Sequence, residues 1–319
     1  MRRLRVTDLL PVSLVALGLV AACGGSDSAP GDANNTSGGT IAGTSGFGTS
    51  AGGTSGRPSS SSGGTTTGGL QPTDLVDTTE ESLETGGATR TYLLSKPKTI
   101  DTNKKYPLVI SFHGNPGSPK AQHDLLPFDS ASKDQAFVAY PLAADGSDWN
   151  LNLPTDGNAD MDFVKALIDE LASKQPIDAG RVLGFGYSGG GYFLSQYACR
   201  VSGVLKMVAI VAGGAPEFHD GDQKRTDDCV ICPAGPIPIL IAHGMNDTSD
   251  APFTGGDFAR ICWAEQNGCT NSSFKNMGAC SAYNGCNDGK PVQWCPIPNL
   301  DHTAWQGSVQ AAWTMFNGL

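Results

Sequence analysis

The chain has 319 residues, with 21 lysines and arginines against 31 aspartates and glutamates, and a formal charge of −10 at pH 7. This acidic balance argues against binding to nucleic acid or to an anionic membrane surface, because both attract basic proteins. Partners of those two classes are therefore not expected.

The N-terminus has the pattern of a signal peptide over residues 1–22. A basic start, Met1–Arg5, precedes an apolar stretch, Leu9–Val20, that is too short for a comfortable transmembrane helix. Small residues then stand directly before Cys23, which resembles the cleavage site of bacterial lipoproteins, where the cysteine becomes the acylated N-terminus. We predict an exported lipoprotein anchored through Cys23 at the outer membrane or cell surface; an ordinary secretory peptide with an incidental cysteine, giving a secreted protein, is the alternative.

The next segment, residues 23–70, consists mainly of glycine, serine and threonine, with few sizeable apolar side chains. Such a segment cannot bury enough surface to offset the entropy lost on ordering, so we predict a disordered tether. The remaining part, residues 71–319, has about the length of one α/β domain.

Eight cysteines lie in the predicted domain, all toward its C-terminus. An even number in an exported chain predicts up to four disulfides that staple the C-terminal loops, with the pairing left open. Cys229 and Cys232 could instead form a redox pair or half of a zinc site, but the following prolines oppose a helix and no partner pair is evident. The eight are Cys199, Cys229, Cys232, Cys262, Cys269, Cys280, Cys286 and Cys295.

Apolar runs alternate with helical patterns through the domain, which predicts an α/β fold with a mostly parallel, doubly wound sheet. Several runs are continuous, as expected for parallel strands that are buried on both faces. The predicted strands are 91–94, 108–113, 137–140, 182–187, 207–211, 237–242 and 291–295. The predicted helices are 160–174, 189–200 and 304–316.

The pentapeptide Gly186-Tyr187-Ser188-Gly189-Gly190 stands between a predicted strand and a predicted helix. In this setting G-x-S-x-G is typical of the nucleophile elbow of α/β-hydrolases, a strained turn that exposes the serine Oγ and tolerates only small neighbours. Ser188 is therefore the predicted nucleophile, on an α/β-hydrolase fold.

Three glycines, Gly184, Gly186 and Gly189, also match the dinucleotide-binding pattern G-x-G-x-x-G. That pattern requires an acidic residue at the end of the next strand, and the strand 207–211 runs instead into Ala212-Gly213-Gly214-Ala215. We therefore reject a dinucleotide cofactor and expect neither a metal nor an organic cofactor.

A serine nucleophile needs a base to accept its proton and an acid to orient that base. Hydrolases of this fold place these groups in the order serine, acid, histidine, which favours His302 among the five histidines. Asp247 directly follows a predicted strand and is the predicted acid, with Asp250 as its competitor. His113 and His243 each end an apolar run before a glycine, a position that is as often structural.

The reaction also needs two backbone N–H groups aimed at the developing oxyanion. One is expected from Gly189, the residue after the nucleophile. The second is expected from Asn115, because the strand 108–113 breaks there into a turn rich in glycine and proline. Gly114 would allow the close approach that this turn requires.

Several segments form a wider pattern in a fixed order. They are Arg90–Leu94, Leu108–Gly114, Tyr140-Pro141, Trp149-Asn150, Asp160–Ile168, Pro176–Val182 before the elbow, and His243-Gly244-x-x-Asp247. With these segments the chain resembles the secreted polyhydroxybutyrate depolymerase and feruloyl esterase group of α/β-hydrolases, and the resemblance covers most of residues 88–316. Asn267-Gly268-Cys269 and Val292-Gln293-Trp294-Cys295 resemble the cysteine-rich feruloyl esterase branch.

The resemblance implies an esterase with Ser188 as nucleophile, Asp247 as acid and His302 as base. It departs from the family before the histidine, where Asn299-Leu300-Asp301 replaces the usual glycines, and after it, where Trp305 arrives late and without proline. Large aromatic residues near these segments, Trp149, Trp305 and Tyr187, are the predicted substrate-binding residues, although a buried structural role is about equally common for aromatic residues of this size.

Together these patterns predict an exported serine esterase. The resemblance implies that it acts on feruloyl or acetyl esters of plant polysaccharide, or secondly on polyhydroxyalkanoate. The expected partners are the ester substrate and a membrane reached through the lipid at Cys23; no protein partner is implied. Two other classes stay open: a serine peptidase with the same triad, and a surface lipoprotein that only binds glycans.

Overall fold

The computed structural model describes residues 73–152, 155–249, 251–287 and 289–319. The predicted signal peptide, Cys23 and the predicted tether lie outside these residues, as does Asp250.

A single sheet of ten strands organises the described residues. The strands in chain order are β1 (Val76–Thr85), β2 (Ala88–Pro97), β3 (Tyr106–Phe112), β4 (Phe137–Pro141), β5 (Ile177–Tyr187), β6 (Met207–Val211), β7 (Ile239–Gly244), β8 (Thr270–Met277), β9 (Cys280–Asn284) and β10 (Val292–Ile297). Their order across the sheet is β1-β2-β4-β3-β5-β6-β7-β10-β9-β8.

The centre of this sheet is parallel and its edges are antiparallel. The six central strands pair in parallel; in their order across the sheet they are β4, β3, β5, β6, β7 and β10. The strands β1 and β2 at one edge, and β9 and β8 at the other, pair antiparallel. The predicted mostly parallel, doubly wound sheet is confirmed.

Helices cover both faces of the sheet. They are α1 (Pro119–Leu125), α2 (Asp129–Ser132), α3 (Ala159–Lys174), α4 (Gly189–Arg200), α5 (Phe253–Gln266) and α6 (Gly307–Asn317). In β3, Leu108 and Ile110 belong to the core cluster shared with α3, α4 and α5, whereas Val109 belongs to the cluster shared with α6. Because successive side chains of a strand point to opposite faces and all seven residues of β3 are buried, β3 is covered on both faces.

Four disulfides staple the C-terminal part of the domain, as predicted. They join Cys199 to Cys232, Cys229 to Cys262, Cys269 to Cys286 and Cys280 to Cys295. Cys229 and Cys232 thus bond to different partners and form neither a redox pair nor half of a zinc site. Bonds of this kind persist in oxidising compartments, which fits an extracellular protein.

Six elements were not predicted from the sequence: the strands β1, β8 and β9 and the helices α1, α2 and α5. The three strands lie toward the antiparallel edges of the sheet, and α1 and α2 are short. Among the described residues, no helix combines the length and the apolar composition needed to cross a bilayer.

Candidate active site

Ser188 occupies the turn between β5 and α4, as the elbow pattern predicts. Its φ of 51° lies in the left-handed region, which costs a non-glycine residue roughly 1–2 kcal/mol. The turn is fixed on both sides: the Ser188 amide donates to the Val211 carbonyl at 2.9 Å, and the Ser188 carbonyl accepts from the amides of Gly191 and Tyr192 at 2.8 and 3.0 Å. These bonds maintain a conformation that the residue would not adopt alone.

The glycines around Ser188 allow three backbone segments to meet. A Cβ on Gly186 would lie 2.4 Å from the Gly190 carbonyl oxygen, and a Cβ on Gly190 would lie 2.3 Å from the His113 carbonyl oxygen. Any side chain at either position would therefore push β5, α4 and the end of β3 apart. Close packing of the elbow is thus the physical reason for the glycines of G-x-S-x-G.

Ser188, His302 and Asp247 form a continuous line of hydrogen bonds. The Ser188 Oγ lies 2.9 Å from His302 Nε2, and His302 Nδ1 lies 2.7 Å from Asp247 Oδ2. Asp247 follows β7, and His302 lies in the loop between β10 and α6, so neighbouring parallel strands bring the two residues to the same edge of the sheet. The structure therefore brings together the three residues that the sequence predicts as nucleophile, acid and base.

Asp247 is buried and fully hydrogen-bonded. Its Oδ1 accepts from the Ser249 amide at 3.0 Å and from the Ser249 hydroxyl at 2.7 Å, while Oδ2 faces His302. Burial acts to raise the pKa of Asp247, but the hydrogen bonds from Ser249 and His302 outweigh it and lower that pKa below its ordinary value. The carboxylate is therefore ionised where it can orient an imidazole.

The predicted oxyanion residues, Asn115 and Gly189, lie against each other. A Cβ on Gly189 would lie 2.3 Å from Asn115 Cγ, and the Asn115 Oδ1 accepts from the Trp149 amide at 3.1 Å. Within the described part of the chain, neither the Asn115 amide nor the Gly189 amide donates a hydrogen bond to a protein group. Two unpaired backbone donors next to Ser188 are the arrangement that an oxyanion requires.

A cavity of about 420 Å³ opens above Ser188. Its walls combine the reactive groups with apolar and acidic side chains from distant parts of the chain. Its lining residues are Asn115, Leu151, Ser188, Gly189, Tyr192, Glu217, Ser249, Ala251 and His302. The cavity is large enough for an acyl group of small-molecule size.

Known proteins with similar sequences are esterases. Feruloyl esterase B of Piromyces equi is 26% identical over 240 residues, which cover 69% of this chain and 44% of that protein. Feruloyl esterase C of Emericella nidulans is 23% identical over 228 residues, covering 64% of this chain and 78% of that protein. The chain spans about half the length of the first curated relatives that it matches. No family model matches the chain.

Solved structures give the same fold. The acetyl xylan esterase of Aspergillus awamori superposes with a TM-score of 0.60 at 13% identity, covering 75% of this chain and 99% of that chain. The chain has an α/β-hydrolase fold, and the proteins that it resembles in sequence are feruloyl and acetyl xylan esterases. The resemblance described from its sequence motifs is thereby confirmed.

Two aromatic residues of this chain do not lie where we predicted them. Trp149 is only 3% exposed and does not line the cavity; its ring stacks on Phe193 at 4.9 Å between centroids, and its Nε1 donates to the His113 carbonyl at 2.8 Å. Trp305 lines a separate groove beside α6. The prediction that these two rings form the substrate pocket is wrong, because one is needed in the core and the other faces a different surface.

Tyr187 also lies outside the lining of the cavity, although it adjoins Ser188. Its hydroxyl donates to the His302 carbonyl at 3.2 Å, and its ring stacks on the His302 imidazole. The structure therefore places Tyr187 against the predicted base.

Several groups at the site were not predicted from the sequence. Tyr192 follows the elbow by four positions, so the first turn of α4 could have indicated it, whereas no sequence signal places Leu151 or Glu217 in the cavity. His243 is also involved, because its Nε2 lies 3.1 Å from Asp247 Oδ2. Its position four residues before Asp247, at the end of the same strand, is the signal that could have shown this contact.

One group of side chains in the described residues has the spacing of a metal site: Asp227, Cys229 and Glu265. The Cys229 sulfur is bonded to Cys262 and cannot act as a thiolate ligand. A side-chain hydrogen bond between Glu265 and Asp227 raises the pKa of Glu265 and lowers that of Asp227. The chemistry of this group does not fit a metal, and it lies outside the cavity lining.

Proposed function

We propose that this chain is an exported serine esterase that hydrolyses carboxylic esters through Ser188, His302 and Asp247. The observation that supports it best is the line of two hydrogen bonds, 2.9 and 2.7 Å long, that connects the Ser188 Oγ to the Asp247 carboxylate through His302. The esterase homologues and the cavity above Ser188 agree with this chemistry.

The reaction begins when His302 Nε2 accepts the proton of the Ser188 hydroxyl as Oγ attacks the ester carbonyl carbon. The carbonyl oxygen becomes an oxyanion, which accepts hydrogen bonds from the amides of Asn115 and Gly189. Asp247 stabilises the imidazolium and keeps Nε2 facing Ser188.

The tetrahedral intermediate then collapses. The ester C–O bond breaks, and the alcohol leaves with the proton from His302 Nε2, which leaves the acyl group on Ser188 Oγ. Water repeats the sequence: His302 takes its proton, the hydroxide oxygen attacks the acyl carbon, and Ser188 is released with a carboxylic acid product. The net reaction consumes one water and needs no redox partner.

The proposed substrates are feruloyl or acetyl esters of plant polysaccharide, with hydroxyalkanoate polyesters second. The named activities of the relatives, feruloyl esterase and acetyl xylan esterase, support this order. We further propose that the lipid on Cys23 anchors the enzyme to the membrane and that residues 23–70 act as its tether.

The experiment compares the wild type with Ser188→Ala on methyl ferulate, acetylated xylan, hydroxybutyrate oligomers and a peptide anilide. Ser173→Ala is the matched control, since Ser173 is exposed at the end of α3. We expect ester hydrolysis in the wild type and the control, and a loss of at least about a thousandfold in Ser188→Ala. Ester hydrolysis retained by Ser188→Ala would contradict the proposal, and so would cleavage of the anilide in preference to the esters.

Labelling with a fluorophosphonate tests whether Ser188 is activated at all. Wild type and Ser173→Ala should react covalently and Ser188→Ala should not. A folded wild-type protein that does not react would favour a surface protein that only binds glycans.

A further inference from the structure

His243 is buried at the end of β7, beneath the proposed active site. Its Nε2 lies 2.8 Å from the Ala251 carbonyl oxygen and 3.1 Å from Asp247 Oδ2. Both oxygens can only accept when the carboxyl group is ionised, so Nε2 must carry the hydrogen and donate it. The side chain of His243 therefore links the acid of the proposed triad to the loop that follows it.

Asp247 Oδ2 consequently faces two imidazoles. His302 Nδ1 approaches at 2.7 Å and His243 Nε2 at 3.1 Å. The other oxygen, Oδ1, accepts two hydrogen bonds from Ser249. A carboxylate that shares one oxygen between two N–H donors is both fixed in direction and reduced in effective charge toward each of them.

Among the described residues, the opposite side of the His243 ring makes no polar contact. Its Nδ1 is buried without a hydrogen-bond partner among the described residues, and Gly256 packs against it so closely that a Cβ there would lie 2.2 Å from Nδ1. A group needed only to fill this space would be an apolar side chain, because a buried, unpaired nitrogen is costly. The polar function of His243 is therefore concentrated at Nε2.

We propose that His243 is a positioning residue of the esterase reaction, which fixes the Asp247 carboxylate toward His302 and withdraws part of its charge. This inference rests on the proposed function of Ser188, His302 and Asp247. His243 does not line the cavity, so it acts through Asp247 and not on the substrate.

The proposal predicts the direction of a pH effect. Without the His243 donor, the Asp247 carboxylate interacts more strongly with His302 and stabilises its protonated form, which cannot accept the Ser188 proton. The acidic limb of the kcat/KM profile should then move to higher pH. Other titratable groups face the pair formed by Asp247 and His302. They are Tyr187 against the His302 ring, Asp301 next to His302 in the chain, and Tyr192 and Glu217 in the cavity. They are the same in every variant below.

Three variants separate the hydrogen bond from the space that the ring fills. His243→Gln has an amide that can reach the position of Nε2, His243→Asn has one that is too short, and His243→Leu has no donor. We expect the Leu and Asn variants to lose roughly ten- to a hundredfold in kcat with KM within about twofold, and to shift the acidic limb upward by about half to one pH unit. His243→Gln should keep most of the wild-type kcat, and the acidic limb of its kcat/KM profile should lie at the wild-type pH.

The proposal would be overturned if the Leu and Asn variants fold and their kcat/KM profiles have the same acidic limb as the wild type. A Gln variant that behaves like the Leu variant would also overturn it. These outcomes differ from a failure of the proposed function, in which the wild type hydrolyses no ester or Ser188→Ala remains active. Melting temperatures show whether each variant is folded.

A measurement on the wild type keeps the proposal testable if the variants do not fold. Imidazole nitrogen shifts from ¹⁵N NMR at alkaline pH should show His243 with its hydrogen on Nε2, coupled to a slowly exchanging proton. A hydrogen on Nδ1 would overturn the proposal, because Nε2 could then donate to neither Asp247 nor Ala251.

Discussion

The ring of Tyr187 lies nearly parallel to the imidazole of His302, with centroids 5.8 Å apart and planes inclined by 26°. The Tyr187 hydroxyl also donates to the His302 backbone carbonyl at 3.2 Å. The residue directly before the proposed nucleophile thus contacts both the ring and the backbone of the proposed base. Ser188 and His302 lie on separate loops, and Tyr187 connects those loops.

We expect the stack to matter more than the hydroxyl. Tyr187→Phe keeps the ring and should retain kcat within about threefold, since a single hydrogen bond to a backbone carbonyl contributes only about 1 kcal/mol. Tyr187→Ala frees the imidazole and should lower kcat by tenfold or more at unchanged KM. Steady-state kinetics on one soluble ester measures both; equal losses in kcat in the two variants would show that the hydroxyl, not the ring, is responsible.

Trp149 connects the core to the proposed oxyanion loop. Its indole donates to the His113 carbonyl at 2.8 Å, and its own amide donates to Asn115 Oδ1 at 3.1 Å. Trp149→Phe leaves a buried carbonyl without its donor, which should lower the free energy of unfolding by about 1–3 kcal/mol and reduce kcat through Asn115. Urea unfolding and kinetics measure the two effects. Trp305→Phe is the matched control at a half-buried ring outside this loop; equal losses in both variants would contradict the specific role.

The parallel part of the fold could be predicted because burial on both faces leaves a visible pattern. All seven residues of β3 are buried, and its sequence, YPLVISF, is mainly apolar. The edge strand β1 has the sequence VDTTEESLET and is largely exposed, so no pattern distinguishes it from a polar loop. Its pairing with β2 determines its conformation, and that pairing is a tertiary contact. The helix α5 begins after Pro252 and has two glycines in its first turn, which conceal it in the sequence.

The line of proposed reactive groups could be predicted for a related reason. Ser188, Asp247 and His302 each follow a strand of a parallel sheet, so chain order and strand ends suffice to bring them to one edge. The role of Trp149 could not be predicted, because its decisive hydrogen bond to the His113 carbonyl spans 36 positions. The same holds for Glu217, since nothing in its neighbours indicates that it lines the cavity.

The contact between Gly189 and Asn115 gives a steric prediction. In Gly189→Ala, the new methyl group would lie 2.3 Å from Asn115 Cγ and 2.7 Å from its Cβ, so Asn115 must move away. Displacement of one oxyanion donor should lower kcat by about a hundredfold, with a smaller effect on KM.

The compensating variant Gly189→Ala/Asn115→Gly tests the cause. Removal of the Asn115 side chain deletes the atoms that clash, so the double variant should be more active than Gly189→Ala alone. A double-mutant cycle with Asn115→Gly measures this coupling. Additive losses would mean that the methyl group disturbs the elbow itself and not the loop after β3.

The lowered pKa of Asp247 links the site to the stability of the fold. Burial acts to raise that pKa, and the hydrogen bonds from Ser249 and His302 lower it by more. A carboxyl group whose pKa is lower in the folded state binds fewer protons there than in the unfolded chain, where the pKa of an aspartate is about 3.9. Its contribution to stability is therefore complete above that value and is lost as the pH falls through the pKa of the folded state.

In Asp247→Asn this proton uptake is absent, so the free energy of unfolding should fall less steeply below about pH 4 than in the wild type. Urea unfolding between about pH 2.5 and 6 measures the slopes, and Asp301→Asn is the control, because Asp301 is exposed and its side chain accepts a hydrogen bond from the neighbouring Thr303. A wild-type slope in Asp247→Asn would show that the carboxylate gains no more from folding than an exposed one.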